Sequence, residues 1–375
     1  MGPGDVVGTK PDTSTFEASG LYDPDAPDAA ERLELLQYLR DRGIAVEHMV
    51  SADRAGRLLA LSAEVELSTP RDTLTIEDVA ARSGSTVDRV LRIRMAGGTP
   101  VDPDDARLPA TAVGDIAAFE AGAALFGEAA TLSFTRVMGG SMARIAEAAV
   151  GLFMTELAPT ALAGKTPIDV AKTAADATAA LMGIPPVMEH LLRDHVLRAI
   201  RRAATERANE TDARAVSVGV GFVDLVGSTE WARSLAFKDQ ALALGSFESA
   251  AWDIATHHDG RVVKLIGDAA MFIAPSGVAT ARIAVDLCRV VSADDALPLA
   301  RGAAGYGSVA SRDGDYFGPL VNLVARAVKV ADPGSVVVTD TVADELAGNA
   351  EWRLVELSEQ HLRGIDDPVR LYALC

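Results

Sequence analysis

Phe222-Val223-Asp224-Leu225-Val226-Gly227-Ser228-Thr229 reads as the end of an apolar β-strand that delivers a carboxylate and then turns, through Gly-Ser-Thr, into a helix. Two further fragments belong with it. Lys264-Leu265-Ile266-Gly267-Asp268 brings a Lys and a second carboxylate, and Asp315-Tyr316-Phe317-Gly318 runs on through Val321-Asn322 to Ala325-Arg326. Asn322 and Arg326 stand at i and i+4, so they project from one face of their helix. Each fragment alone is weak, because an Asp before Gly-Ser-Thr can simply cap a helix and an Asn/Arg pair can be a solvated helix face. Their order and spacing give the set its specificity.

Around these fragments, short β-branched runs alternate with helical stretches. Strands are predicted at 216–223, 262–265, 270–273, 299–309 and 336–338, and helices at 230–257, 279–291 and 320–330. In order this is βαββαβ, the split unit of ferredoxin-like sheets, extended by strands at 352–357 and 369–373. Helices covering one face of the sheet are expected.

This half of the chain resembles the catalytic domain of class III nucleotidyl cyclases over about 215–374, on the three fragments quoted. The resemblance implies that Asp224 and Asp268 hold two divalent cations, Mg²⁺ or Mn²⁺, which favour oxygen ligands shared with substrate phosphates. It implies that the backbone amides of Leu225, Val226, Gly227, Ser228 and Thr229 receive phosphate oxygens at the positive end of a helix. Asn322 would align the ribose, and Arg326 would bind charge developing on the α-phosphoryl group. Lys264 and Asp315 match the positions that select the base. An ammonium donates to adenine N1 and a carboxylate accepts from the 6-amino group, whereas guanine reverses both requirements, so ATP is favoured. Leu362-Arg363-Gly364 is similar to the segment in which a cation, usually Lys, reaches the terminal phosphates, and Arg363 takes that place here. In the family, the parts of one site come from two subunits, which implies a homodimer with two shared sites.

The 375 residues allow two domains, and 49% of them are hydrophobic. The formal net charge of -18 opposes nonspecific attraction to nucleic acid or to an anionic membrane surface. Cys288 and Cys375 do not suggest a disulfide framework. The N-terminus lacks the pattern of a secretory signal, and no run of about 18 uninterrupted apolar residues offers a membrane span. A cytoplasmic protein is expected.

The division read from the sequence is a flexible arm at 1–27, a helical regulatory domain at 28–185, a linker helix at 186–210 and the catalytic domain at 211–375. The whole is therefore α+β, with an all-helical N-terminal domain. Leu35, Leu36 and Leu39 mark one helix, and Leu58, Leu59 and Leu61 a second. Thr75 with Asp78 forms a capping signal, Gly84 ends that helix, and Thr86 opens another through Met95. This pair looks like a helix-turn-helix. Five Arg against four acidic residues over 71–95 make it a packing or dimerisation unit rather than a DNA reader.

Two longer helices at 113–127 and 131–157 carry Phe119, Phe134, Met138, Met142 and Ile145. They suit a core or a dimer interface better than a pocket for an apolar ligand. The arrangement is similar to mycobacterial adenylyl cyclases with a regulatory N-terminal domain, autoinhibitory and pH-responsive in one relative. His190 and His195 on the charged linker helix are the candidates for such a response, since imidazole titrates in that range. The competing reading is a DNA-binding regulator whose cyclase-like half senses nucleotide. The Gly-Gly-Asp/Glu-Glu-Phe hairpin of diguanylate cyclases is absent, the turn here being Ile266-Gly267-Asp268-Ala269-Ala270.

Overall fold

The computed structural model of the chain describes residues 13–67, 73–101, 107–157, 164–206 and 215–374. They divide into two compact units that part between Leu192 and Arg193.

The first unit is built of helices α1 (Ser14–Ala18), α2 (Ala29–Asp41), α3 (Val46–Arg54), α4 (Leu61–Leu67), α5 (Ile76–Ser83), α6 (Val87–Ala96), α7 (Ala112–Phe126), α8 (Glu128–Leu152) and α9 (Pro167–Leu181). One core gathers Phe16, Leu35, Leu36, Leu39, Met49 and Leu61, with Ala171 of α9. Ser62 is buried there because its hydroxyl donates to the Ala171 carbonyl at 2.7 Å. The predicted loose arm is therefore corrected over 13–27. Phe16 is 1% exposed, lies in this core and has the Arg40 guanidinium over its ring. The first twelve residues of that arm lie outside the described residues.

A second core joins Val79, Val90, Ile93, Ile116 and Phe119. Thr75 caps α5 by accepting from the Asp78 amide, Gly84 ends it in the left-handed region, and Thr86 caps α6. Arg89 on α6 is held by Glu120 of α7 and Glu128 of α8, at 2.6 and 2.7 Å. The pair thus packs as a unit, with its central Arg already engaged by carboxylates. The unit is not wholly helical: β1 (Thr73–Thr75) and β2 (Arg107–Pro109) pair antiparallel.

Phe134, Met138, Met142 and Ile145 of α8 are exposed rather than in a core. With its continuation to Glu156, this helix is long and apolar enough to cross a membrane by length and composition. Arg136, Arg144 and Glu147 interrupt its apolar run. Helix α10 (Pro185–Glu206) carries the chain across the division between the units.

The second unit holds an eight-stranded sheet of order β4 (Arg261–Ile266), β5 (Ala269–Ala274), β3 (Ala215–Leu225), β6 (Ala300–Arg312), β8 (Val336–Thr339), β10 (Leu371–Leu374) and β9 (Leu354–Glu356), with β7 (Asp315–Phe317) on β6. All the pairs are antiparallel except β6 with β8. The first four strands, with α11 (Ser228–Ser234), α12 (Phe237–His257) and α13 (Gly277–Ser292) between them, form the expected βαββαβ unit. The helix predicted over 230–257 is broken where Leu235 and Ala236 turn extended.

Strand β3 is central and buried on both faces. Val216, Val218, Val220 and Phe222 enter one core with Val324 of α14 (Pro319–Ala327), while Val223 and Leu225 enter the other with α12 and α13. The expectation of helices on one face only is thereby corrected. Helix α14 covers the second face because Val324, Ala327 and Val328 present their own apolar stripe to it. It is also the helix that carries Asn322 and Arg326.

Candidate active site

Asp224 follows Phe222 by two residues and shares its face, the one under α14. Its cross-strand neighbours are Ala269 and Arg301. Asp268 sits at the tip of the two-residue β4–β5 turn, which Gly267 opens with φ 63. The turn is tied to the strand end, since the Leu225 amide donates to the Asp268 carbonyl at 3.1 Å. The Ser228 hydroxyl donates to the Asp268 carboxylate. Main-chain bonding thus ties the turn that carries Asp268 to the end of the strand that carries Asp224.

This donor set fits a hard divalent cation. Both groups are carboxylates, and no cluster of three or more His, Cys, Asp or Glu able to hold a metal occurs among the described residues. Two carboxylates leave most of an octahedral shell to water and phosphate, as suits Mg²⁺ and Mn²⁺. Two of the five amides expected to receive phosphate are already engaged and are corrected here. Leu225 donates to Asp268, and Val226 donates to the Leu299 carbonyl at 2.8 Å. Those of Gly227, Ser228 and Thr229 open the first turn of α11, where amides lack intrahelical acceptors.

Lys264 pairs with Met271 across β4–β5, which puts it on the same sheet face as Asp224. Its Nζ donates to Asp315 Oδ2 at 2.6 Å, and Asp315 Oδ1 accepts from the Tyr316 amide at 2.8 Å. Asp315 is presented by a tight hairpin in which Asp313 (φ 54) and Gly314 (φ 82) both take positive φ. That hairpin is braced by Arg261, which donates to the Gly314 carbonyl and stacks over the Tyr316 ring. The pair offers one cationic donor and one anionic acceptor a hydrogen bond apart.

Asn322 and Arg326 lie one turn apart on α14 and line an open cavity of about 480 Å³ with Gly318, Leu323 and Gly364. Gly364 has φ +73, and a methyl placed there would stand 3.1 Å from Arg326 Nη1. The guanidinium therefore lies against bare backbone at the Leu362-Arg363-Gly364 turn. Leu362 anchors that turn in the core, while Arg363 is exposed.

The structure thus brings together Asp224 with Asp268, Lys264 with Asp315, and Asn322 with Arg326. Among the described residues no ion pair joins one set to another. His190 and His195 are exposed on α10. Sequence reasoning missed Arg301, whose Nη2 donates to Asp224 Oδ2 at 3.2 Å. A lone Arg inside the Ala/Gly-rich run of β6 was the available signal, but its partner depends on strand register.

Comparison with known proteins finds that the family described as adenylate cyclase regulatory domain matches residues 15–200. An uncharacterised protein of Mycobacterium tuberculosis is 32% identical over 97% of this chain and 94% of its own. A pH-sensitive adenylate cyclase of the same species is 27% identical over 92% of this chain and 87% of its own. Among solved structures, the adenylyl cyclase CyaB from P. aeruginosa is 18% identical with a TM-score of 0.39, over 43% of this chain and 94% of its own.

Proposed function

The chain belongs to the class III adenylyl cyclase family, with the adenylate cyclase regulatory domain at its N-terminus, and from that membership we propose that it converts ATP to 3′,5′-cyclic AMP and pyrophosphate at sites shared between two copies. One observation carries the choice of ATP: Lys264 and Asp315 hold a donor and an acceptor 2.6 Å apart on the sheet face that also carries Asp224. Lys264 donates to adenine N1, and Asp315 accepts from the 6-amino group. Guanine would leave both groups unsatisfied, at about 1 to 3 kcal/mol each.

Two divalent cations, Mg²⁺ or Mn²⁺, held by Asp224 and Asp268, would supply Lewis-acid activation of the ribose 3′-hydroxyl and neutralise the triphosphate. Asn322 orients the ribose so that its 3′ oxygen faces the α-phosphorus. The bond from that oxygen to phosphorus forms as the bond to the pyrophosphate oxygen breaks, and the hydroxyl proton leaves to solvent. Arg326 donates to the α-phosphoryl oxygens as their charge grows, which is stabilisation aimed at the transition state. Arg363 and the first-turn amides of α11 hold the terminal phosphates.

Carboxylates from one copy would face Lys264, Asp315, Asn322 and Arg326 of its mate. Exposed Ile266, Leu299 and Phe317 beside these groups support such a meeting, because apolar side chains at a site rim gain from being covered. The regulatory half would act through α10, which continues into the catalytic half. The pH-sensitive relative supports a pH response, with His190 and His195 as the residues to test. Flattened activity profiles in His190→Ala and His195→Ala between about pH 5.5 and 8 are expected; unchanged profiles would remove both. The cytoplasm, which supplies ATP and divalent cations, is the compartment proposed for the reaction.

The reading is tested by incubating the purified chain with ATP and Mn²⁺ and quantifying both products. Equimolar cyclic AMP and pyrophosphate, lost on chelation, are expected. No pyrophosphate release with either cation would refute it.

A further inference from the structure

The β6–β7 hairpin that carries Asp315 reaches past the ladder of the central strand, since Ala215 with Ala310 is the last described pair of β3 with β6. Strand β7 adds three pairs with β6. Side chains must therefore help to set where the carboxylate stands, and β4 sends two cations to it. Val263 is the extra residue of a bulge, because Val262 pairs with Phe272 and Lys264 with the neighbouring Met271. Residues three apart in a regular strand leave opposite faces. The bulge returns Lys264 to the face of Arg261, beside Met271 and Ile273 of one core. Lys264 meets Asp315 and lies 5.9 Å from the centre of the Phe317 ring. Arg261 meets the residues on either side of Asp315. Its Nη2 donates to the Gly314 carbonyl at 3.1 Å and to the Tyr316 hydroxyl at 3.4 Å, and its guanidinium carbon lies 5.4 Å from the centre of the Tyr316 ring. Its Nε is buried with no hydrogen-bond partner. Burying that donor unpaired is unfavourable, so the contacts with Gly314 and Tyr316 are what keep the guanidinium there.

We propose that Arg261 is a positioning residue for base selection, one that fixes the hairpin and so sets the Asp315 carboxylate where the 6-amino group of adenine arrives. The proposal rests on the reading of Lys264 and Asp315 as the pair that meets the base. Gly314 and Tyr316 flank Asp315 in sequence, and Arg261 holds the first by its carbonyl and the second by its ring. That hold carries over to the carboxylate, because Asp315 Oδ1 accepts from the Tyr316 amide. Asp315 Oδ2 is left to Lys264 and to the incoming amino group. A planar guanidinium can stack on a ring while it donates in its own plane, which an ammonium does not do. Without Arg261 the hairpin is free to swing about Asp313 and Gly314, the two residues at positive φ, and the acceptor for the amino group loses its place.

The experiment compares ATP with purine riboside triphosphate, which keeps the ring N1 acceptor but lacks the 6-amino group. The full chain with Mn²⁺ is assayed for kcat/KM on both. Arg261→Met should lower kcat/KM for ATP about two- to tenfold, the scale of one hydrogen bond, and leave that for the analogue unchanged. The preference for ATP should shrink by the same factor. Arg261→Lys, which keeps a cation but not the planar fork, should fall between, and it carries the same test where Arg261→Met does not fold. In an Asp315→Ala background, Arg261→Met should change the preference no further, because it acts through that carboxylate. Equal losses with both nucleotides, or no loss with either, would overturn the proposal, since a general weakening of the fold does not single out the amino group. Asp315→Ala alone separates this from the underlying reading. If it leaves the preference for ATP intact, Asp315 does not meet the base. If it abolishes the preference while Arg261→Met retains it, only the role of Arg261 fails.

Discussion

Lys264 Nζ and Asp315 Oδ2 form an ion pair across 51 residues of sequence, and each partner sets the direction of the other. The β6–β7 hairpin fixes the carboxylate through the Tyr316 amide, and the carboxylate aims the flexible Lys. Lys264→Ala should therefore raise the KM for ATP by about 5- to 150-fold, corresponding to about 1 to 3 kcal/mol. The preference for ATP over GTP should narrow with it. Steady-state kinetics with both nucleotides measure the two effects, and an unchanged preference would detach this pair from base recognition.

Gly364 controls where Arg326 can rest. A methyl at this left-handed position meets the guanidinium at 3.1 Å, so Gly364→Ala should lower kcat while KM changes little. Gly364→Asn, which tolerates positive φ but still carries a Cβ, should lower kcat as well. Normal turnover in the Asn variant would show that the close approach does not matter.

Much of the catalytic half was legible because its strands are β-branched and its turns carry Gly and Asp. Strands at 262–265 and 270–273 appear as β4 and β5 with only their ends moved. The short strand β7 was missed although Asp313-Gly314 is a strong hairpin signal, since its three residues are too few to show alternation. Helix α15 (Asp340–Leu346) was missed for its brevity. Periodicity placed apolar faces on α8 but could not say what covers them, and Phe134 and Met138 are exposed. Tertiary contact also decided the N-terminal segment, where one aromatic, Phe16, anchors a Gly-, Ser- and Thr-rich stretch. The ion pair of Asp224 with Arg301 was invisible because register joins residues that sequence separates.

Phe16 offers a direct check on that anchoring. It is 1% exposed, and Phe16→Ala should cost the first unit about 3 to 5 kcal/mol. Chemical denaturation of the full chain should show one transition moved to lower denaturant and the catalytic unit's transition unmoved. A loss below about 1 kcal/mol would mean that the arm contributes little to the core.

The hydrogen bond from Arg89 holds the Glu120 carboxyl below its ordinary value of 4.5, with Ser85 adding to the effect. A depressed folded-state value contributes stability that is present above the unfolded value and is lost as pH falls through the folded one. Glu120→Gln should thus melt at a lower temperature than the unmodified chain near neutral pH, and the gap should close progressively below about pH 4.5. A gap independent of pH would assign the loss to packing.

The shared site is tested most directly by mixing. Asp224→Ala and Arg326→Ala chains, each inactive alone, should regain part of the cyclic AMP production when combined, because half of the sites in mixed dimers then receive an intact set from both copies. Dimers shown to be mixed that make no more cyclic AMP than either variant alone would contradict the account.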